Sequence, residues 1–228
     1  MITINEAIRD KMKRNGKRFW AGDNVSEFVD EATLNELVNE ATDAFENVLD
    51  CLLIDRENDP NSKGTARRLA KMYFFELMRG RYSSKPDATA FPNDSADRYS
   101  GMLVVRSELK SVCSHHHQPV TGVAYIGIIP GQKVIGLSKY TRIAQWCSRR
   151  GTLQEELCND IAREIQKATE SDDVAVYIQS EHGCCSNRGI MAHSSLTQTT
   201  VLRGQFHEAD VKAEFFNNIA LQQQFAPK

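Results

Sequence analysis

The sequence predicts an α+β fold in which an antiparallel sheet carries helices on one face and a helical region precedes it. Three observations point there. Apolar residues recur at three- and four-residue intervals in the first third of the chain, stretches rich in Val, Ile, Thr and Tyr follow in two pairs, and a pair of helical spacings separates those two pairs. Strand pairs divided by a helix pair suit an antiparallel sheet better than an alternating parallel one. Residues 1–100 therefore read as an N-terminal helical region with a loop, and residues 101–228 as the sheet-bearing domain.

Leu34, Leu37, Val38, Ala41, Phe45, Val48, Leu49 and Leu52 form one stripe of a long helix. A second helix is expected from Thr65 as N-cap, with Leu69, Met72, Tyr73 and Leu77 inward, to Gly80, where a left-handed residue ends it. Residues 81–100, rich in Ser, Pro, Asp and Asn, read as a loop. Strands are predicted over 102–113, 120–129, 174–182 and 196–206, helices over 138–150 and 152–169, and a last helix near 210–220. There is no internal repeat and no low-complexity tract. A four-stranded sheet leaves edges that are commonly covered or paired, so an oligomer is expected.

A chain of 228 residues buries roughly 70% of its unfolded surface and needs no staples. A formal net charge of -2 gives no global attraction to nucleic acid or an anionic membrane, so any polyanion site is local. The N-terminal stretch lacks an apolar signal region, and no apolar run is long enough to span a bilayer, which suggests a soluble cytoplasmic protein. In a reducing compartment the cysteines serve as thiols, metal ligands or catalytic groups. Cys51, Cys147 and Cys158 lie in helical stretches and read as plain thiols.

The other three cysteines cluster with histidines, in Cys113-Ser114-His115-His116-His117 and Glu181-His182-Gly183-Cys184-Cys185. Cys113 and His116 have the spacing by which one turn presents two ligands to one ion, and Cys184 lies just past a predicted strand. Two thiols and an imidazole make a catalytic zinc set with one position left for water. Strand alternation puts His182 at the end of the apolar face of Val174, Val176 and Ile178. It is either a hydrogen-bonded core histidine or an acid/base beside the metal. His117 and Cys185 are spare candidates. The His-x-Glu and Pro-Cys-x-x-Cys pair of zinc deaminases is absent.

A second constellation starts at Ile135-Gly136-Leu137-Ser138-Lys139-Tyr140-Thr141-Arg142, read as strand, tight turn and helix start with Ser138 as N-cap. Lys139 and Arg142 share a face of the first turn, where cations are unfavourable unless an anion neutralises them. Arg188 adds a third cation, and Arg67 and Arg68 are more distant. The alternative is a set of solvated basic residues. Thr152-Leu153-Gln154-Glu155 fits a capping box, in which Glu155 would only satisfy a backbone amide; alternatively its carboxylate accepts two hydrogen bonds from a guanine.

Cys-Ser-His-His at 113–116, VIGLSKYTRI at 134–143, LQEEL at 153–157, His182-Gly183-Cys184 and Arg188-Gly189 together resemble the GTP cyclohydrolase I family. The resemblance covers roughly residues 65–220, beginning with TARRLAKMY; the first 30 residues add nothing to it. It implies a tunnelling fold whose sheets join between subunits into a barrel, usually a homodecamer with active sites between subunits. It implies that Cys113, His116 and Cys184 hold zinc, that His115 and His182 carry protons, and that Glu155 with Gln154 anchors guanine. Ser138, Lys139, Arg142 and Arg188 would contact ribose and triphosphate, with Arg68 from a neighbouring subunit. Three positions depart from the family pattern: Ser114 for the usual glutamate, Ala66 for a proline, and Gly183 for an aromatic residue. None is a zinc ligand or a proton carrier.

The reaction so implied is hydrolysis of GTP. Water attacks carbon 8, the imidazole ring opens, formate leaves and, after rearrangement of the ribose, the ring recloses to 7,8-dihydroneopterin triphosphate. Rival readings are a variant that releases another pterin or a formylated intermediate, and a zinc-stabilised nucleotide-binding oligomer without turnover. His115 and His182 argue against the last, because a binder needs no proton relay.

Overall fold

The computed structural model describes residues 2–94 and 98–225, so residues 95–97 of the expected loop lie outside the described residues. The chain divides into two compact units, one of residues 1–84 with 149–151 and one of residues 85–148 with 152–228.

In the first unit, α1 (Ile4–Arg14) opens with a capping box in which Thr3 and Glu6 satisfy each other's backbone amides. Helix α2 (Glu31–Cys51) starts on Asp30, whose side chain accepts from the Thr33 amide. Met12, Val25 and Val29 are buried among Ile8, Phe19, Leu34 and Leu37. The α2 stripe is only partly covered, since Val48 and Leu52 are exposed. The next helix differs from expectation. Gly64, left-handed at φ 76°, precedes α3 (Thr65–Lys71), so Thr65 is its first residue and not its cap. The chain then widens into a π-helical turn over Met72–Leu77 before α4 (Arg79–Tyr82), which contains Gly80 in place of ending there.

The second unit is built on a four-stranded antiparallel sheet. Its strands are β2 (Leu103–Val112), β3 (Pro119–Ile128), β5 (Val174–His182) and β6 (Thr197–Leu202), in the spatial order β2-β3-β5-β6. Two three-residue strands, β1 (Ala90–Pro92) and β4 (Lys133–Ile135), pair separately. Strand β1 was not expected and lies in the predicted loop, whereas β4 is the strand expected to end at Ile135 before the turn.

Between β3 and β5 the chain leaves the sheet to form α5 (Leu137–Ser148) and α6 (Gln154–Thr169). Tyr140, Ile143, Ala144 and Cys147 of α5, with Leu157, Ile161 and Ile165 of α6, cover Ala124, Ile126, Ile128, Val174, Val176 and Ile178. Each large aliphatic residue buried there stabilises the fold by about 1.5 to 3 kcal/mol. The opposite face is not free of helices, contrary to expectation. A short turn over Gly204–His207 and α8 (Ala209–Phe225) lay Phe206, Phe215 and Ile219 on Tyr125, Ala175 and Tyr177. Gly127 permits this approach, because a Cβ there would lie 2.7 Å from the Phe215 ring. Among the described residues, no helix is long and apolar enough to cross a membrane.

Candidate metal centre and proton-transfer site

The sheet register assembles the site. Val112 faces Pro119 across β2 and β3, and Val120 faces His182 across β3 and β5, so the ends of β2 and β5 meet on either side of the start of β3. Cys113 directly follows β2. Its amide donates to the Gln118 carbonyl, and its carbonyl accepts from the His117 amide, which closes the turn bearing His115 and His116. His117 takes the left-handed φ of 51° that this tight reversal requires. After β5 the chain winds into a single helical turn, α7 (Gly183–Ser186), that carries Cys184. Gly183 fits tightly, since a Cβ there would come 3.0 Å from the Pro119 carbonyl oxygen.

The ligand atoms of Cys113, His116 and Cys184 all lie within 4.8 Å of one another. Donors on one tetrahedral zinc are separated by about 3.3 to 3.8 Å at bonds of about 2.0 to 2.3 Å, so small side-chain movements suffice for all three to share an ion. Cys113 is buried, His116 exposed and Cys184 half-buried, a set closed on the protein side and open on the other. Burial, and then the adjoining Cys113 sulfur, push the Cys184 thiol up to about 11. A cation among the three reverses that preference, because metal-ligating thiols are deprotonated. The donor chemistry fits a divalent metal. His117 and Cys185 lie beside the group without joining it.

His182 is half-buried, and its ring Nε2 lies 2.7 Å from Oε1 of Gln154. Burial holds its imidazolium below the usual range, and the Glu155 carboxylate acts in the opposite sense. Gln154 is 4% exposed and fully engaged within the protein. Its Oε1 accepts from the Ser180 hydroxyl at 2.6 Å, and its Nε2 donates towards the Ile178 and Thr197 carbonyls and the Thr199 hydroxyl. Its amide thus has no donor or acceptor left over for a guanine. Sequence reasoning did not find this arrangement; the polar Ser180, following Val174, Val176 and Ile178 on the inner face of β5, was its only signal.

The capping box expected at Thr152 and Glu155 does not form. Leu153 is the residue before α6 and no side chain caps it; Thr152 reaches Glu156 instead, at 2.8 Å. Glu155 is exposed on the first turn. Helix α5 likewise starts one residue early, so Ser138 lies within its first turn and is not the N-cap. Ser138 and Arg142 are exposed there and Lys139 is half-buried. Arg188, exposed, follows α7. Lys139, Arg142 and Arg188 form no salt bridge among the described residues. Arg68 belongs to the first unit, where its guanidinium donates to the Lys63 and Asn61 carbonyls and the Thr65 hydroxyl.

The family model described as GTP cyclohydrolase I matches residues 41–220. Curated proteins named GTP cyclohydrolase 1 are similar along most of the chain. That of Flavobacterium johnsoniae is 36% identical over 86% of this chain and 87% of its own length. That of Clostridium acetobutylicum is 38% identical over 74% of this chain and 92% of its own. That of Vibrio cholerae is 33% identical over 93% and 95%.

Proposed function

This chain belongs to the GTP cyclohydrolase I family, and from that premise we propose that it hydrolyses GTP to 7,8-dihydroneopterin triphosphate and formate with the residues described above. The observation that carries the reading is the convergence of Cys113, His116 and Cys184 at the end of the strand that bears His182.

Cys113, His116 and Cys184 would hold zinc, which when bound supplies Lewis acidity and makes water a nucleophile near neutral pH. His182 delivers a proton to the guanine ring nitrogen beside carbon 8 as water attacks that carbon, and His115, exposed on the turn next to His116, is the second proton carrier. The neighbouring Glu155 carboxylate accepts from the ring N–H and the exocyclic amine of guanine. With Gln154 committed inside the protein, this contact rests on Glu155 alone. Lys139, Arg142 and Arg188 neutralise the triphosphate, and Ser138 meets the ribose on whose rearrangement ring closure depends.

The same reading extends to assembly. Strands β2 and β6 are the two edges of the sheet, and pairing them between copies would close a barrel of the tunnelling fold, as a homodecamer. Arg68 would then reach a neighbouring subunit's site, and residues 101–228 would form the catalytic domain.

Zinc-loaded protein incubated with GTP, with pterin absorbance and formate followed together, tests the proposal. Stoichiometric formate and dihydroneopterin triphosphate are expected. Tight nucleotide binding without formate would replace the enzyme by a binding oligomer, and a different product mass would make it a variant cyclohydrolase.

A further inference from the structure

We propose that Gln154 is a positioning residue that fixes which nitrogen of His182 faces the substrate; the inference rests on the reading that His182 moves the proton. The argument begins with the amide itself, whose oxygen and nitrogen are distinguished only by their partners. On one side of Gln154 stand the carbonyl oxygens of Ile178 and Thr197, at 3.4 and 3.2 Å, and these only accept. The group facing them is therefore the NH2. On the other side the oxygen faces the Ser180 hydroxyl and the His182 ring.

An amide oxygen only accepts. At 2.7 Å, His182 Nε2 must therefore carry a hydrogen, and in the neutral ring the free lone pair belongs to Nδ1. The flipped amide would set its oxygen against two carbonyl oxygens, and the other tautomer a bare Nε2 against the amide oxygen, each an unpaired or repulsive contact in a buried place. The ring is thus held in one tautomer and one orientation, and Nδ1 is the nitrogen that takes and gives the proton in the reaction. The partners of Gln154 come from β5 and β6, so the sheet itself orients the amide before it orients the histidine. This is the logic by which a carboxylate or carbonyl behind a functional histidine sets its tautomer, here performed by a neutral amide.

A purely structural role, tying the start of α6 to the sheet, must be told apart from positioning. Gln154→Met keeps the length of the side chain and removes the acceptor. Thr199→Val removes one acceptor of the amide nitrogen and leaves the oxygen in place. With metal-loaded protein, Gln154→Met is expected to lower kcat about 10- to 100-fold, the usual cost of losing a group that orients a functional histidine, with KM for GTP within about twofold and metal content unchanged. Thr199→Val is expected to lower the melting temperature yet leave kcat within about twofold.

The direct readout is the tautomer. Magic-angle-spinning spectra of histidine-15N-labelled, metal-loaded protein at pH about 8.5, where an imidazole is neutral, give it, with the His182 signals identified by their loss in His182→Ala. Wild type is expected to show protonated Nε2, and Gln154→Met a mixed or reversed state. A wild-type His182 with its proton on Nδ1 would overturn the proposal even if the Met variant failed to fold. So would a Gln154→Met enzyme with unchanged kcat, or one whose defect lay in KM, as loss of a guanine contact would produce. Absence of formate from wild type would instead remove the cyclohydrolase reading and leave the tautomer measurement to judge the contact.

Discussion

The Thr152 hydroxyl meets the Glu156 carboxylate at 2.8 Å, and this contact releases Glu155 from duty at the start of α6. In a capping box, glutamine would replace Glu155 with little effect, since it can still accept the amide hydrogen bond. As the guanine acceptor Glu155 cannot be so replaced. Glutamine turns one acceptor into a donor that faces guanine's own donors, and loses a charge-assisted pair worth about 2 kcal/mol or more. Glu155→Gln is expected to melt within about two degrees of wild type, the small shift of an exposed change, and to bind GTP about thirtyfold more weakly by calorimetry. Unchanged affinity would take base recognition away from this residue.

The contrast between Glu155 and Gln154 also marks where sequence reading stops. Long alternating or helical patterns were legible: β3, β5 and α6 lie within a few residues of their expected limits, because each buries one face over many residues. The metal trio was legible because Cys and His are scarce elsewhere, and Cys113 with His116 follows one strand end while Cys184 follows another. Strand β1, three residues long, holds too little pattern to show. Helix α1 was overlooked although Thr3 and Glu6 carry the spacing of the capping box that forms there. The site of α8 on the far face could have been inferred from Tyr125 and Tyr177, aromatic where an exposed face would be polar. Gln154 was legible as a site residue, but for its internal contacts the polar Ser180 was the one signal. The partners of Gln154 lie 24 to 45 residues away, on strands whose neighbourhood exists only in the folded sheet.

Metal removal should act on the site as a whole. Cys113→Ser, His116→Ala and Cys184→Ser each leave only two of the convergent donors, and each is expected to lose both bound metal and formate release; chelation of wild type should reproduce the loss. Elemental analysis beside the activity assay checks this. A fully active variant without metal would detach the three residues from the chemistry.

The cations of α5 should report on phosphate and not on base. Lys139→Ala and Arg142→Ala each remove a charge-assisted contact, and roughly tenfold weaker GTP binding is expected from each. The loss should shrink as salt rises, because ions screen contacts that stand near solvent. Guanosine, which lacks the phosphates, should bind wild type and variants alike. An equal loss for guanosine would mean that these residues hold the base or the fold.

The sheet domain also carries a pH-dependent support far from the metal ligands in sequence. Lys85 Nζ lies 2.7 Å from the Glu164 carboxylate and Lys167 Nζ 2.9 Å from it, and the Glu164 side chain is only 13% exposed. Burial pushes the Glu164 carboxyl upward, but the hydrogen bonds and charges of the two lysines outweigh it and hold the group below its ordinary 4.5. The folded state therefore binds the charged form more tightly than the unfolded chain does. Its contribution is present above pH 4.5 and is lost as pH falls through the lower folded value. Glu164→Gln is expected to melt about 2 to 4 °C below wild type at neutral pH, as a loss of about 1 kcal/mol implies. The two melting curves should converge as the buffer is acidified through the lowered folded value, where the wild-type carboxylate is also neutralised. Lys85→Met should show the same trend to a smaller degree, since Lys167 still meets the carboxylate. A gap that stays constant with pH would assign the loss to packing around α6 and not to the ion pair.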